Sequence, residues 1–393
     1  MIAPSSPPVS GIENGPNRIA SKAPKLLFLV TEDWYFASHR LPLAVAAKQA
    51  GFEVAVACRV GRDRSRIEAS GIRVLPLARF RRESTSPLSV LAATREITAL
   101  YRRERPDIVH HVALKPVLLG SVAAWLAGLP RMVNAVAGLG WLFTSQSLGA
   151  RLLGRLIARV FRLLLNRSQV IVQNPDDRNF LQRLGVRAGH LNLIRGAGVD
   201  MHAFAPRPEP EGRPLVILAS RLLWNKGVGE FVDAARELHK QGIQARFALV
   251  GEPDYANPAA IPKSRLAEWQ GEGVVEWWGR RDDMPQVLAQ AHVVCLPSFY
   301  GEGIPKVLIE AAAAGRPIVT TDTPGCREIV RNGENGLLVP VKSAESLASA
   351  LRSLIENPEL RARMGQCGRK IAMAEFSLEK INAETLAVYQ DLS

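Results

Sequence analysis

The segment 293–314 constrains this chain most. Val293-Val294-Cys295-Leu296 is an apolar run of strand length. Ser298-Phe299-Tyr300-Gly301-Glu302-Gly303-Ile304-Pro305 follows as a turn broken by two glycines, and 311–314 reads as helix. A strand, a glycine-bounded turn and a helix form the repeat unit of a parallel α/β sheet, and the turn aims unpaired backbone N–H groups at an anion. Gly301 and Gly303 let a ligand approach the backbone. Pro305 suits the first helical turn, where a missing N–H costs little. Glu302 stands in the turn and Glu310 about two helical turns further on. Carboxylates at both ends of an anion-binding helix start suit a ligand with hydroxyls on either side of its phosphates, as in a nucleotide-sugar.

The same alternation runs along the chain. Strands are expected at 25–30, 53–58, 72–75, 107–111 and 169–173. Helices are expected at 41–50, stopped by Gly51, and at 88–103, ended by Pro106. Asn174 caps another helix with Asp176 and Asp177 in its first turn. Pro206, Pro208, Pro210 and Pro214 mark a linker, after which strands recur at 214–219, 247–250, 274–280 and 317–321, and 343–393 is helical. With 393 residues, two domains follow. The fold class is α/β, with two doubly wound parallel sheets. The expected division is a disordered tail 1–22, a first domain 23–205, a second domain 206–375, and a last helix 376–393 crossing back to the first.

Residues 1–206 hold 28 of the 50 lysines and arginines but 13 of the 37 acids, so the whole positive excess lies in the first half. That half is expected to face an anionic partner. At 149–166, Arg151, Arg155, Arg159 and Arg162 share one helical face, and leucines, Ile157, Val160 and Phe161 cover much of the rest. A basic amphipathic helix suits an anionic membrane surface. Nucleic acid is not expected, because exposed aromatics do not interleave the cations and no zinc pattern or recognition motif occurs. The tail has no apolar core of a signal peptide, and the apolar run 117–129 is too short to span a bilayer. The four cysteines are scattered, as buried thiols of a reducing compartment would be. The expected location is cytoplasmic, peripheral to the inner face of the membrane.

Glu302 and Glu310, with seven residues between them, match the Glu-x7-Glu motif of the retaining glycosyltransferases of family 4. That resemblance implies the GT-B fold, two Rossmann-like domains facing a cleft. Arg221-Leu222-Leu223-Trp224-Asn225-Lys226-Gly227 resembles the family's Arg-x4-Lys-Gly segment, whose cations contact the donor diphosphate. The Ser38-His39-Arg40 loop, His110, Lys115-Pro116 and 133–144 resemble the members that build bacterial surface polysaccharides on lipid-linked saccharides. The chain departs from the family in lacking the common glycine pair of the first loop, and in having Ala197-Gly198-Val199-Asp200 for Asn-Gly-Val-Asp. The first loop also lacks the Gly-x-Gly-x-x-Gly pattern, which argues against a nicotinamide or flavin.

By resemblance, Arg221, Lys226, Glu302, Gly303, Ile304, Lys306, Val307, Glu310 and Arg280 bind the donor. Glu302 holds hydroxyls of the transferred sugar, with His110 or the adjacent His111 as a further catalytic candidate. His39, Arg40 and Lys115 hold acceptor groups. The implied reaction is a retaining transfer of a hexose or N-acetylhexosamine from a nucleotide-diphosphate sugar, most commonly a UDP-sugar, to a lipid-linked or polysaccharide acceptor. No Asp-x-Asp stands in the chain, so no metal and no cofactor are expected, with cations facing the diphosphate instead. The alternatives are a nucleotide-sugar epimerase of the same shape and a non-catalytic nucleotide-sugar or lipid-binding protein.

Overall fold

Short apolar runs bounded by glycine and proline become strands buried on both faces. The computed structural model describes residues 23–83, 86–136, 158–299, 301 and 303–392. The first sheet comprises β1 (Lys25–Glu32), β2 (Glu53–Arg59), β3 (Arg73–Pro76), β4 (Ile108–Val112), β5 (Met132–Val136), β6 (Gln169–Val172) and β7 (Leu191–Leu193). Its order is β3-β2-β1-β4-β5-β6-β7, and its pairs are parallel. The second comprises β8 (Leu215–Ala219), β9 (Arg246–Val250), β10 (Glu276–Gly279), β11 (Val293–Leu296), β12 (Ile318–Thr321) and β13 (Gly336–Val339), in the order β10-β9-β8-β11-β12-β13.

Side chains alternate across each sheet. Leu26, Phe28 and Val30 of β1 enter one core, while Leu27 and Leu29 enter the core on the opposite face. A strand buried on both faces reads as an unbroken apolar run, which is why these strands were legible. The architecture is two Rossmann-like parallel-sheet domains, as the resemblance implied. The segment after β1, read as a loop, is instead the helix Asp33–His39, which abuts the helix Leu41–Gln49 at Arg40. Asp33 holds its start from within, accepting from the Gly61 N–H at 2.6 Å and the Asp63 N–H at 3.1 Å. The expected helical tail is three helices, Ala344–Ile355, Pro358–Glu375 and Leu378–Gln390. The last packs on Leu41–Gln49 and puts Ile381, Val388 and Tyr389 into the first domain's core.

Strand order reverses between β1 and β4 in the first sheet and between β8 and β11 in the second. Connections diverge at such a switch point and leave a crevice at the carboxyl ends of the strands. Residues 33–40 and 113–115 follow β1 and β4, and residues 220–227 and 297–305 follow β8 and β11.

Candidate active site

Two connections of the second domain are fastened together. The Asn225 carbonyl accepts from the Phe299 N–H at 3.2 Å and from Ser298 Oγ at 3.2 Å. Gly227, at φ +75°, lies against Pro297, where a Cβ would run into the Pro297 carbonyl oxygen. The glycine therefore lets the segment carrying Arg221 and Lys226 approach the turn that opens the helix Lys306–Ala313.

Glu310 is buried, 4% exposed, and forms an ion pair with Lys306 one turn earlier. Burial raises its carboxyl above the usual range, and the Lys306 charge opposes that rise. Val307 is half-buried against the same core. The Ile304 N–H, at the helix start, donates to Gln173 Oε1 at 3.0 Å, so a first-domain side chain reaches the turn. Arg221 Nη1 donates to Asp254 Oδ2 at 2.7 Å, and Arg82 Nη2 of the first domain donates to the same oxygen at 2.5 Å. Arg280 pairs with Asp282 at 2.8 Å. Its neighbour Gly279 accepts from the Gly251 N–H, and Gly251 lies against Ser220, so the end of β10 adjoins this region. Glu302 lies outside the described residues.

In the first domain, His39 stacks on Tyr35 at 4.3 Å. Burial, then the charges of Lys306 and Arg40, lower its pKa to about 3, and Arg221 adds to the effect. Ser38, beside it at the end of the helix Asp33–His39, lines one cavity with Lys306 of the second domain. Arg40 is 5% exposed. Lys115 turns away from the expected acceptor role: its Nζ donates to the carbonyls of Arg81 and Arg82. Burial lowers its pKa.

The structure encloses the two adjacent histidines. β4 runs to Val112, so His110 and His111 lie inside the sheet rather than at its carboxyl edge, and both are fully buried. His111 has both nitrogens engaged, Nδ1 with Asn134 Oδ1 at 2.7 Å and Nε2 with Tyr101 Oη at 3.0 Å. Both of its ring nitrogens are thus taken by protein groups. His110 Nδ1 bonds Tyr389 Oη at 2.5 Å, while Nε2 has no partner among the described residues. Burial drives both imidazoles toward the neutral form, His111 to about 4. Of the basic helix, Arg151 and Arg155 lie outside the described residues. Arg159 and Arg162 are exposed beside Val160 and Leu163, and Phe161 and Leu165 are buried. No described helix is long and apolar enough to cross a membrane.

Sequence reasoning missed Gln173, Asp254, Arg82 and Tyr389. Each acts through a partner 131 or more residues away or across the two domains, as with Gln173 on Ile304 and Tyr389 on His110. No local pattern carries such a signal.

Residues 25–174 match the family model of the 4-like glycosyl transferases, and residues 202–371 match that of the glycosyl transferases group 1. The N,N'-diacetylbacillosaminyl-diphospho-undecaprenol alpha-1,3-N-acetylgalactosaminyltransferase of Campylobacter jejuni is 28% identical over 341 residues, 83% of this chain and 88% of that one. The UDP-Gal:alpha-D-GlcNAc-diphosphoundecaprenol alpha-1,3-galactosyltransferase of Escherichia coli is 25% identical, over 72% of this chain and 76% of that one. The crystal structure of Anabaena HepE in complex with UDP superposes with a TM-score of 0.74 at 21% identity, over 93% of this chain and 100% of that one.

Proposed function

Because the chain belongs to the GT-B glycosyltransferases, with a 4-like first half and a group 1 second half, we propose that it transfers a sugar from a UDP-sugar to a diphosphate-linked lipid saccharide in surface-polysaccharide assembly. The observation that carries this reading is the buried Glu310 at the second switch point, one turn beyond the free-ended helix start and facing Lys306. Glu310 accepts hydrogen bonds from the ribose. Arg221, Lys226, Lys306 and the N–H groups at 303–307 face the diphosphate, where charge builds as the bond to the sugar breaks. In this reading Asp254 and Gln173 give up their hold on Arg221 and Ile304 when donor enters, since both groups already have acceptors. Glu302 holds hydroxyls of the transferred hexose or N-acetylhexosamine, the configuration is retained, and cations take the place of a metal. Names of the relatives support the lipid-linked acceptor. The first domain's exposed Arg159 and Arg162 face the anionic membrane in which that acceptor lies.

The test is thermal stabilisation by UDP, GDP and ADP, on wild type and Glu310→Ala, followed by transfer assays with and without EDTA. A nucleotide at a hundred times its dissociation constant stabilises by about 2.7 kcal/mol. UDP is expected to shift the wild type and not the variant, and transfer is expected to survive EDTA. A wild type that no diphosphate stabilises at millimolar concentration would refute the donor site.

A further inference from the structure

A buried cation with no ion pair among the described residues calls for an explanation in the first domain. Arg40 is 5% exposed, and its Nε is enclosed without a hydrogen-bond partner among the described residues. Guanidinium groups taken out of water are ordinarily paired, because an uncompensated buried charge is costly. No carboxylate of the described residues pairs with it, Glu302 lying outside them. His39 directly precedes it in the chain, and the charge of Arg40 helps to keep the imidazoles of His39 and His110 neutral.

His39 Nδ1 and His110 Nε2 are also buried with no hydrogen-bond partner among the described residues. Tyr389 Oη holds His110 by the opposite nitrogen at 2.5 Å, which leaves Nε2 as the open edge. Stacking on Tyr35 holds His39 in place. Ser38 and Leu41, on either side of His39 and Arg40, line one cavity with Lys306 of the second domain. Lys306 and Arg221 have Glu310 and Asp254 as counter-charges. Of these cations Arg40 is the one whose Nε is enclosed with no acceptor among the described residues. A sugar hydroxyl would bring an acceptor but no charge. A phosphoryl group brings several acceptors and the missing negative charge, and a guanidinium matches its geometry.

We propose that Arg40, flanked by His39 and His110, forms a phosphoryl-binding subsite in the first domain, separate from the diphosphate contacts of the second. It rests on the cleft being a glycosyl-transfer site, and the phosphoryl group belongs either to the donor nucleotide or to the acceptor's lipid diphosphate.

The experiment is calorimetric titration of the full chain with UDP, and separately with farnesyl diphosphate in detergent, for wild type, R40Q, R40K and E310A. R40Q is expected to weaken at least one ligand tenfold or more. A loss confined to UDP assigns the subsite to the donor, and a loss confined to farnesyl diphosphate assigns it to the acceptor. R40Q that unfolds cooperatively and binds both ligands as wild type does overturns the proposal. If R40Q does not fold, R40K decides in the same way, with a loss of threefold or more expected because a lysine lacks the fork of donors. UDP binding lost in E310A but kept for both ligands in the Arg40 variants leaves the donor-site reading standing and removes this one. A wild type that binds neither ligand removes both.

Discussion

Ala113 stands at φ 77° and ψ 163°, a backbone region that is almost the preserve of glycine. It joins β4 to the helix Leu114–Ala127 at the first switch point. Its N–H donates to the Ala135 carbonyl at 3.1 Å, and its carbonyl accepts from the Val117 N–H at 3.0 Å. The neighbouring strand and the first helical turn together hold it there. Replacing Ala113 by glycine is expected to raise stability by about 1 kcal/mol, the low end of the strain such a residue stores. Urea unfolding measures it, and a midpoint that falls or stays put would show that no strain is stored. Nothing in the local sequence marks the position, since alanine is an ordinary helix former. At Gly227 the reverse holds. Its place after the Arg-x4-Lys pair was legible as part of a motif, and the contact with Pro297 supplies the physical reason for a glycine there.

At the scale of elements, one carboxylate organises the connection that carries Arg82. Glu96, on the helix Pro87–Glu104, accepts from the N–H groups of Ala78, Arg79 and Phe80 at 2.8, 2.9 and 3.2 Å. Lys115 satisfies the next two carbonyls. The connection is thus fixed at both of its backbone polarities, and Arg82 is presented to Asp254. Glu96→Ala is expected to cost about 1–2 kcal/mol, because charge-assisted bonds exceed neutral ones but these are partly solvated. Limited proteolysis should then open the segment 78–83 before any other described one. First cleavage elsewhere, with unchanged stability, would contradict this. Sequence reading recovered the helix but gave Glu96 no role and Lys115 a ligand-binding one. Both assignments depend on which loop the helix faces.

For the whole molecule, three groups of the proposed donor site are occupied from within. Arg221 is held by Asp254, Lys306 by Glu310, and the Ile304 N–H by Gln173. Two of these arrangements involve the first domain, through Arg82 and Gln173. The cleft is therefore held by contacts at groups that the proposed nucleotide would claim. Asp254→Asn combined with Gln173→Ala is expected to let the domains separate, read as a larger radius of gyration in small-angle scattering without UDP. The same radius for variant and wild type would mean that other contacts hold the closure. The last helix, Leu378–Gln390, keeps the domains joined, because its Ile381, Val388 and Tyr389 belong to the first core.

By itself the sequence determined the two parallel sheets, the linker between them and the segments that end at the cleft. These follow from local physics: buried strands need unbroken apolar runs, helices need caps, and close turns need glycine. The tertiary structure alone decided which polar groups meet. It enclosed His110 and His111 within the sheet, turned Lys115 onto carbonyl oxygens, set Asp254 between Arg82 and Arg221, and left Arg40 Nε, His39 Nδ1 and His110 Nε2 buried with no partner among the described residues. A strand pattern names the residues on a face but not what is packed over that face. Burial and pairing, which give each polar side chain its role, depend on elements brought together from distant parts of the chain.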